Sequence, residues 1–174
     1  MSSALASAED RFREVFVHLP EVVAYARRRG SRDPEAIGAE ALTVAWRKLA
    51  DVPTDDPRPW LYATARNLIR AERRKASQVQ TVGQPGAQVA EIEAGVGVLD
   101  AELGRALAAL SERDREVLLL VAWEDLSPAL AARALGVTQA AFRVRLHRSR
   151  RRLRRLLEAD ATAAAVASLG VKEL

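Results

Sequence analysis

Apolar side chains recur every three or four residues between about residues 8 and 75, a spacing that predicts a series of α-helices. Pro20 starts or bends one of these helices, and Gly30-Ser31 ends it near Arg29. The next helix begins at Asp33-Pro34, because aspartate is a favoured helix cap and proline fits the first helical turn. Its apolar stripe consists of Ile37, Ala41, Leu42, Ala45, Trp46 and Leu49.

A proline-rich segment, residues 51–59, interrupts the helical pattern. Its three prolines exclude a helix throughout the segment. Helical spacing returns from Trp60 to Lys75, with Leu61, Ala65, Leu68 and Ile69 on the side predicted to be buried. Residues 8–75 are therefore predicted to form a first helical module.

Residues 76–98 carry no sustained apolar pattern and are rich in glycine and glutamine, so they are predicted to form a flexible linker. At about 3.3 Å per residue, such a linker reaches roughly 75 Å. Helical spacing resumes near Leu99, and residues 99–158 are predicted to form a second module. The remaining tail, residues 159–174, is rich in alanine and is expected to fray.

The second module contains three recognisable helix starts. Ser111 to Asp114 resembles a capping box, with aspartate in place of the usual glutamate or glutamine. Ser127-Pro128 begins a short helix that ends before Gly136, and Thr138 caps a longer last helix. Two helices joined by so short a turn predict a helix-turn-helix.

Composition agrees with this assignment. Apolar residues make up 49% of the chain but aromatic residues only 5%, and alanine, leucine and arginine favour helix over strand. The predicted fold class is all-α, with two small helical domains joined by a flexible linker.

The charge distribution is more informative than the net charge of +4. Residues 99–126 hold seven acidic residues and three arginines, a net charge of −4, whereas residues 127–157 hold nine arginines and no acidic residue. Of the eight arginines between positions 143 and 155, only Arg154 has an acidic neighbour at i±4, Glu158. This surplus predicts a surface that binds a polyanion.

The start of the last helix is the candidate surface for reading DNA. Its face opposite the apolar stripe mixes arginines, which pair with guanine edges, and small apolar side chains, which touch thymine methyl groups. Later arginines are better placed for phosphates. The candidate DNA-binding residues are Thr138, Gln139, Ala140, Arg143, Val144, His147, Arg148 and Arg151.

A second group of candidates follows the proline-rich segment. Aromatic residues at the start of a helix and cations along it suit separated DNA strands, because aromatic rings stack on bases and cations hold the backbone. Trp60 is expected to lie in the core, whereas Arg66 and Asn67 are expected to be exposed. The candidates are Arg58, Tyr62, Arg66, Asn67, Arg70, Arg73 and Arg74.

Several of these motifs resemble one protein family. Residues 59–67, Pro-Trp-Leu-Tyr-Ala-Thr-Ala-Arg-Asn, are similar to the promoter-melting region of extracytoplasmic-function sigma factors, of the sigma-70 family. Residues 110–118 and 135–138, followed by Arg145-Leu-His-Arg148, resemble the C-terminal module of that family, and residues 33–46 resemble its polymerase-binding helix. The motifs occur in the family's order with a linker between them.

The resemblance implies a transcription initiation factor with sigma regions 2 and 4. The first module would bind core polymerase and melt the −10 element, and the second would read the −35 element. Its partners would be the β′ and β subunits of core polymerase, promoter DNA and an anti-sigma factor. The residues that would bind core polymerase are Asp33, Glu35, Ile37, Glu40 and Trp46.

Other classes of function are less well supported by the residues. The chain has no cysteine, no glycine-rich phosphate loop and no metal-ligand spacing, and its only histidines, His18 and His147, lie without a recognisable carboxylate partner. We therefore expect no enzyme, catalytic residue, metal or cofactor. No signal peptide and no membrane span is apparent, which predicts a cytoplasmic protein. The alternatives are a helix-turn-helix regulator that does not bind polymerase and an interaction scaffold that has lost DNA binding.

Overall fold

The computed structural model describes residues 2–79 and 101–170, and the side chains of residues 7–77 and 101–162. Within these ranges the regular structure is helical, as predicted. The helices are α1 (Ser2–Phe16), α2 (Leu19–Arg28), α3 (Pro34–Arg47), α4 (Arg58–Val79), α5 (Ala101–Ala109), α6 (Glu112–Ala122), α7 (Pro128–Leu135) and α8 (Gln139–Gly170), with a 3-10 turn at Leu49–Asp51.

Short-range capping sets where α3, α7 and α8 begin. The side chains of Asp33, Ser127 and Thr138 each accept the backbone N–H of the residue three positions later, at 2.9, 3.3 and 3.2 Å. Gly136 ends α7 with φ of +65°, a conformation that suits glycine because it has no Cβ. The helix-turn-helix of α7 and α8 is thus built by local hydrogen bonds.

Two predicted boundaries are wrong. Helix α4 continues to Val79 rather than ending at Lys75, so the first residues of the predicted linker are helical. Helix α8 continues to Gly170 through the tail that was expected to fray, because alanine is the strongest helix former and no proline stops it. The rest of the predicted linker, and residues 171–174, lie outside the described residues.

The helices pack in two groups. In the first module, α1–α4, helix α2 packs on α3 and α4, and α1 packs on α3. Gly38 allows α2 and α3 to approach closely, since a Cβ at this position would lie 2.6 Å from Val23 Cγ2. In the second module, α5–α8, the long helix α8 packs on each of the other three.

The two modules also pack on each other. Helix α4 of the first module lies against α7 of the second, and the buried side chains of both modules form one apolar cluster. No helix within the described ranges combines the length and the hydropathy that a bilayer crossing requires.

Candidate nucleic-acid interface

The start of α8 presents a surface that could fit a DNA groove. All of the candidate residues predicted on this surface are exposed, from Thr138 to Arg151. The opposite side of the same turns is buried, with Phe142, Leu146 and Ser149 at 1%, 6% and 0% exposure. The helix is therefore fixed to the module by one face and free to contact DNA with the other.

A polar anchor holds α8 against α6. The carboxylate of Asp114, a residue only 5% exposed, accepts a hydrogen bond from the Ser149 hydroxyl at 2.8 Å and pairs with Arg152. Burial alone would raise the pKa of Asp114, but hydrogen bonds from Ser149, Ser111 and Arg152 lower it below its ordinary value. The predicted capping box forms only in part, because the Asp114 side chain bonds to the Ser111 hydroxyl and to α8.

The candidate residues of α4 are less accessible than those of α8. Asn67 and Arg74 are exposed, whereas Arg66, Arg70 and Arg73 are half-buried beneath the second module. Arg73 pairs with Glu112 of α6 at 3.3 Å and also donates to the backbone oxygen of Arg29. Part of the α4 surface predicted to hold single-stranded DNA is thus engaged by Glu112 of α6, whereas Asn67 and Arg74 stay accessible.

Arg58 and Tyr62 are also engaged within the protein. Arg58 forms two hydrogen bonds with the Asp56 carboxylate, at 3.0 and 2.8 Å. Tyr62 is 2% exposed, because its ring stacks on Tyr25 with centroids 4.8 Å apart and planes at 9°. Tyr62 was predicted to contact DNA, but the structure does not offer its ring to a base, because Tyr25 of the same module covers it.

A buried ionic cluster joins α2 to the second module. Arg29 donates to Glu116 Oε2 through Nε at 2.8 Å and to Glu124 Oε1 through Nη1 at 2.6 Å. The Tyr25 hydroxyl donates to Glu116 Oε1 at 2.7 Å, and Arg28 pairs with Glu124. The Arg29 guanidinium also lies 3.5 Å from the centroid of the Tyr25 ring. We call these five side chains the ionic latch.

Both carboxylates of the latch have little contact with solvent: the side chains of Glu116 and Glu124 are 12% and 1% exposed. Burial by itself would raise the pKa of Glu116, but the Arg29 charge and hydrogen bonds from Arg29 and Tyr25 lower it below its ordinary value. Glu116 is therefore ionised at neutral pH. A buried pair of this kind depends on both partners being present.

A second contact joins the modules at the surface. Arg133 of α7 donates to Asp55 of the proline-rich segment at 2.7 and 3.3 Å. The hydrogen bond from Arg133 lowers the pKa of Asp55 to about 2. Both side chains are largely exposed, so this pair contributes less than the ionic latch.

An aromatic patch lies on α1 and α3. Trp46 is 44% exposed and packs edge-on against Phe12, with ring centroids 5.0 Å apart, and Phe12 in turn contacts Phe16, which is 50% exposed. These side chains line an open groove together with Glu9 and Arg13. Exposed aromatic clusters of this kind are typical of protein-binding surfaces.

Comparison with known proteins shows to which family the chain belongs. The profile described as "Sigma-70, region 4" matches residues 100–153. The "ECF RNA polymerase sigma factor SigL" of Mycobacterium tuberculosis is 33% identical over 132 residues, which cover 71% of this chain and 74% of that protein. The chain belongs to the extracytoplasmic-function sigma factors. It is therefore an RNA polymerase sigma factor, whose partners are core polymerase and promoter DNA.

Two solved structures share the fold. "CnrH in complex with the cytosolic domain of CnrY" matches with a TM-score of 0.60 and 26% identity, covering 86% of this chain and 88% of that one. The "sigma factor RpoE in complex with the anti-sigma factor NepR from Bartonella quintana" matches with a TM-score of 0.63 and 26% identity, covering 87% and 99%.

The predicted polymerase-binding residues of this sigma factor differ in exposure: four lie at the surface and one lies in the core. Asp33, Glu35, Glu40 and Trp46 are exposed on or beside α3, although Glu35 pairs with Arg27 at 2.6 Å. Ile37 is only 7% exposed and belongs to the core, so the prediction that it contacts polymerase is wrong. Phe12 and Phe16 were not predicted; their helical spacing to each other was the available signal.

The latch of the sigma factor was also missed. Its two carboxylates belong to the acidic stretch between residues 99 and 126, which was interpreted only as a contrast to the basic helix.

His18, which was expected to lack a carboxylate partner, lies with Nδ1 2.8 Å from Glu21 Oε2. The spacing of these two residues, i and i+3 across a helix start, could have shown the pair.

Proposed function

We propose that α1–α4 form sigma region 2, which binds core polymerase and opens the −10 element, and that α5–α8 form sigma region 4, which reads the −35 element. The exposed face at the start of α8 carries this proposal, because it offers arginines and small side chains to a DNA groove while its other face is fixed by Phe142 and Asp114. Arg143, Arg148 and their exposed neighbours contact bases or flanking phosphates.

The −10 contacts come from α4. Asn67 and Arg74 are accessible as the modules now lie, and Arg66, Arg70 and Arg73 become accessible once the second module moves away. Reading both elements therefore requires the ionic latch to open. The packed arrangement is the resting form, and docking on polymerase separates the modules while the linker keeps both near one promoter.

Core polymerase docks on α3 and the aromatic patch. Trp46 provides the exposed apolar contact, and Asp33, Glu35 and Glu40 provide charges around it. An anti-sigma factor is a further partner, since the solved relatives are complexes with such proteins. The protein acts in the cytoplasm, where its polymerase and DNA are, and carries out no catalysis of its own.

Run-off transcription with purified core polymerase and genomic DNA, followed by mapping of start sites, tests the proposal. We expect initiation at a small set of promoters that share −10 and −35 sequences. Failure to bind core polymerase in a pull-down, with DNA binding intact, would favour a helix-turn-helix regulator. Loss of DNA binding at all salt concentrations would favour an interaction scaffold, because phosphate contacts make affinity fall steeply with salt.

A further inference from the structure

Four arginines converge in one cleft between the modules, which we call the arginine cleft. Arg66 and Arg70 come from α4, Arg113 from α6 and Arg145 from α8. The cleft has a volume of about 180 Å³, which exceeds the ~30 Å³ that one water molecule occupies in the liquid several times over. It forms only while the modules are packed together, because neither module supplies all four side chains.

The positive charge of this cleft is only partly neutralised by the protein, because the charge of Arg66 acts on Glu116 but the other arginines have little or no acidic partner. Within the described residues, Arg66, Arg113 and Arg145 form neither a hydrogen bond nor an ion pair, and Arg70 has only a 3.8 Å contact with Glu112. The one acidic residue of the cleft wall, Glu116, already accepts hydrogen bonds from Tyr25 and Arg29. Arg28, Arg29, Arg73 and Arg133, which also lie at the module interface, each form an ion pair, and Arg115 donates to backbone carbonyls.

Arg66 gives the clearest sign of a missing partner. Its Nε is buried and has no hydrogen-bond acceptor. Leaving a buried charged donor unsatisfied costs free energy, and placing like charges in one cleft adds repulsion. An anion with several oxygens would satisfy the donor and offset the repulsion at once, since arginine binds phosphate through paired hydrogen bonds.

We propose that the arginine cleft binds a small polyphosphate anion, and that this anion holds the two modules of the sigma factor together. A di- or triphosphate offers more oxygens than a single phosphate group to guanidinium groups that come from three helices. The proposal rests on the function proposed above, because Arg66 and Arg70 are also −10 candidates. The same guanidinium groups cannot bind the anion and promoter DNA at the same time. Binding of the anion therefore opposes separation of the modules.

Binding is tested with inorganic pyrophosphate on the full chain, by calorimetric titration at constant ionic strength with sulfate as the reference anion. We expect pyrophosphate to bind and sulfate to bind at least tenfold more weakly. Arg113→Ala and Arg145→Ala are each expected to weaken pyrophosphate binding by at least tenfold. Arg150→Ala is the matched control, because Arg150 is an exposed arginine of α8 outside the cleft. Equal losses for Arg145→Ala and Arg150→Ala would overturn the proposal in favour of non-specific screening.

The claim that the anion holds the modules together is tested by energy transfer between two dyes, one on each module. The chain has no cysteine, so Ala50→Cys and Ala159→Cys place one label on an exposed position of each module. Pyrophosphate is expected to raise the transfer efficiency, and Arg145→Ala to abolish that rise. Binding without a change in transfer, or with a decrease, would overturn the claim that the anion holds the modules together.

Titrations with tripolyphosphate and with nucleoside triphosphates distinguish the sources of the ligand. Similar affinities for all of them would identify the phosphate chain as the recognised group, and tighter binding of one nucleotide would add a base contact. A pull-down with core polymerase and run-off transcription, each scored separately from the pyrophosphate titration of the chain alone, separate this proposal from the function. A chain that initiates normally but does not bind pyrophosphate would refute the arginine cleft alone.

Discussion

Arg29, the residue that follows α2, and Glu116 of α6 belong to different modules, yet Arg29 Nε lies 2.8 Å from Glu116 Oε2 and the two side chains are only 7% and 12% exposed. The pair is supported by Tyr25 and Glu124 and lies next to the helix predicted to read the −10 element. On the function proposed above, opening this contact would expose more of α4, so the stability of the packed form would be linked to activity.

Glu116→Gln is expected to open the modules. It removes the charge that faces Arg29, and removing one partner of a buried pair costs about 3–5 kcal/mol. Apolar contacts between α4 and α7 remain, so we expect the packed fraction to fall at least tenfold with both modules still folded. The increase in radius of gyration by small-angle X-ray scattering measures the opening.

Glu112→Gln is the matched control for this variant. Glu112 also faces an arginine of the first module, but its side chain is 58% exposed, and exposed pairs contribute about 0–1 kcal/mol. Its radius of gyration is expected to stay close to that of the unchanged chain. An equal expansion in both variants would show that burial of the latch does not matter.

The packed form is also expected to weaken in acid. The ionic latch holds the pKa of Glu116 below its ordinary value of 4.5, so the open form binds protons more readily than the packed form. The stabilisation is therefore complete above about pH 5 and is lost as the pH falls through the lowered pKa. Scattering measured from about pH 6 to about pH 3 should show opening that begins as the pH falls below about 4.5, before Asp55, with a pKa of about 2, is protonated.

The Glu116→Gln variant serves as the reference for this titration, because it has no carboxylate at that position. Its packed fraction should depend much less on pH over the same range. A packed fraction that rose on acidification would contradict the role assigned to Glu116.

The elements set by local chemistry were predictable from the sequence, and the contacts between modules were not. Asp33, Ser127 and Thr138 cap their helices through hydrogen bonds to residues three positions away. The sequence within a few residues of each cap is therefore enough to predict where the helix begins. Glu116 meets Arg29 across 87 residues of chain, and its two neighbours in the sequence give no sign of this partner.

Tyr62 illustrates why the site itself was only partly predictable. Its position at the start of an arginine-rich helix is typical of a base-stacking residue, yet Tyr25 of another helix occupies the face of its ring. The exposed face of α8 was predicted correctly, because the periodicity of a single helix determines it. Phe142 and Leu146 lie on the buried stripe, so the residues on the opposite side of the helix are exposed.

Asp125→Gly is expected to stabilise the second module. Asp125 lies in the turn after α6 with φ of +49°, where a Cβ is strained and glycine is not. We expect a gain of about 0.5–1 kcal/mol in the free energy of unfolding, measured by chemical denaturation. Asp125→Ala removes the same carboxylate but keeps the Cβ, so a similar gain in that variant would assign the effect to charge instead of backbone strain.

Trp46→Ala is expected to weaken binding to core polymerase. Trp46 is 44% exposed in an aromatic patch, and exposed tryptophans of this kind often carry a large share of an interface, about 2 kcal/mol or more. Affinity measured by biolayer interferometry should fall at least tenfold. Val144→Ala controls for the loss of any exposed apolar side chain, since Val144 is 52% exposed on α8. Unchanged affinity in Trp46→Ala would place the docking surface elsewhere.

Arg148→Ala is expected to weaken recognition of the cognate promoter more than binding to random DNA. Arg148 is exposed near the start of α8, where a guanidinium can pair with a guanine edge, and a good pair of this kind contributes about 1–3 kcal/mol of discrimination. Arg154 is also exposed but lies almost two turns further along α8, where contact with a phosphate is expected.

Gel shifts with the mapped promoter and with a scrambled duplex, at several salt concentrations, measure the two effects. Arg154→Ala should weaken binding to both duplexes alike and reduce the salt slope by about one unit, because one phosphate contact is lost. Arg148→Ala should reduce the ratio between the two affinities by at least fivefold. If Arg148→Ala instead lowered both affinities equally, Arg148 would be a phosphate contact and the reading of the −35 element would depend on its neighbours on α8.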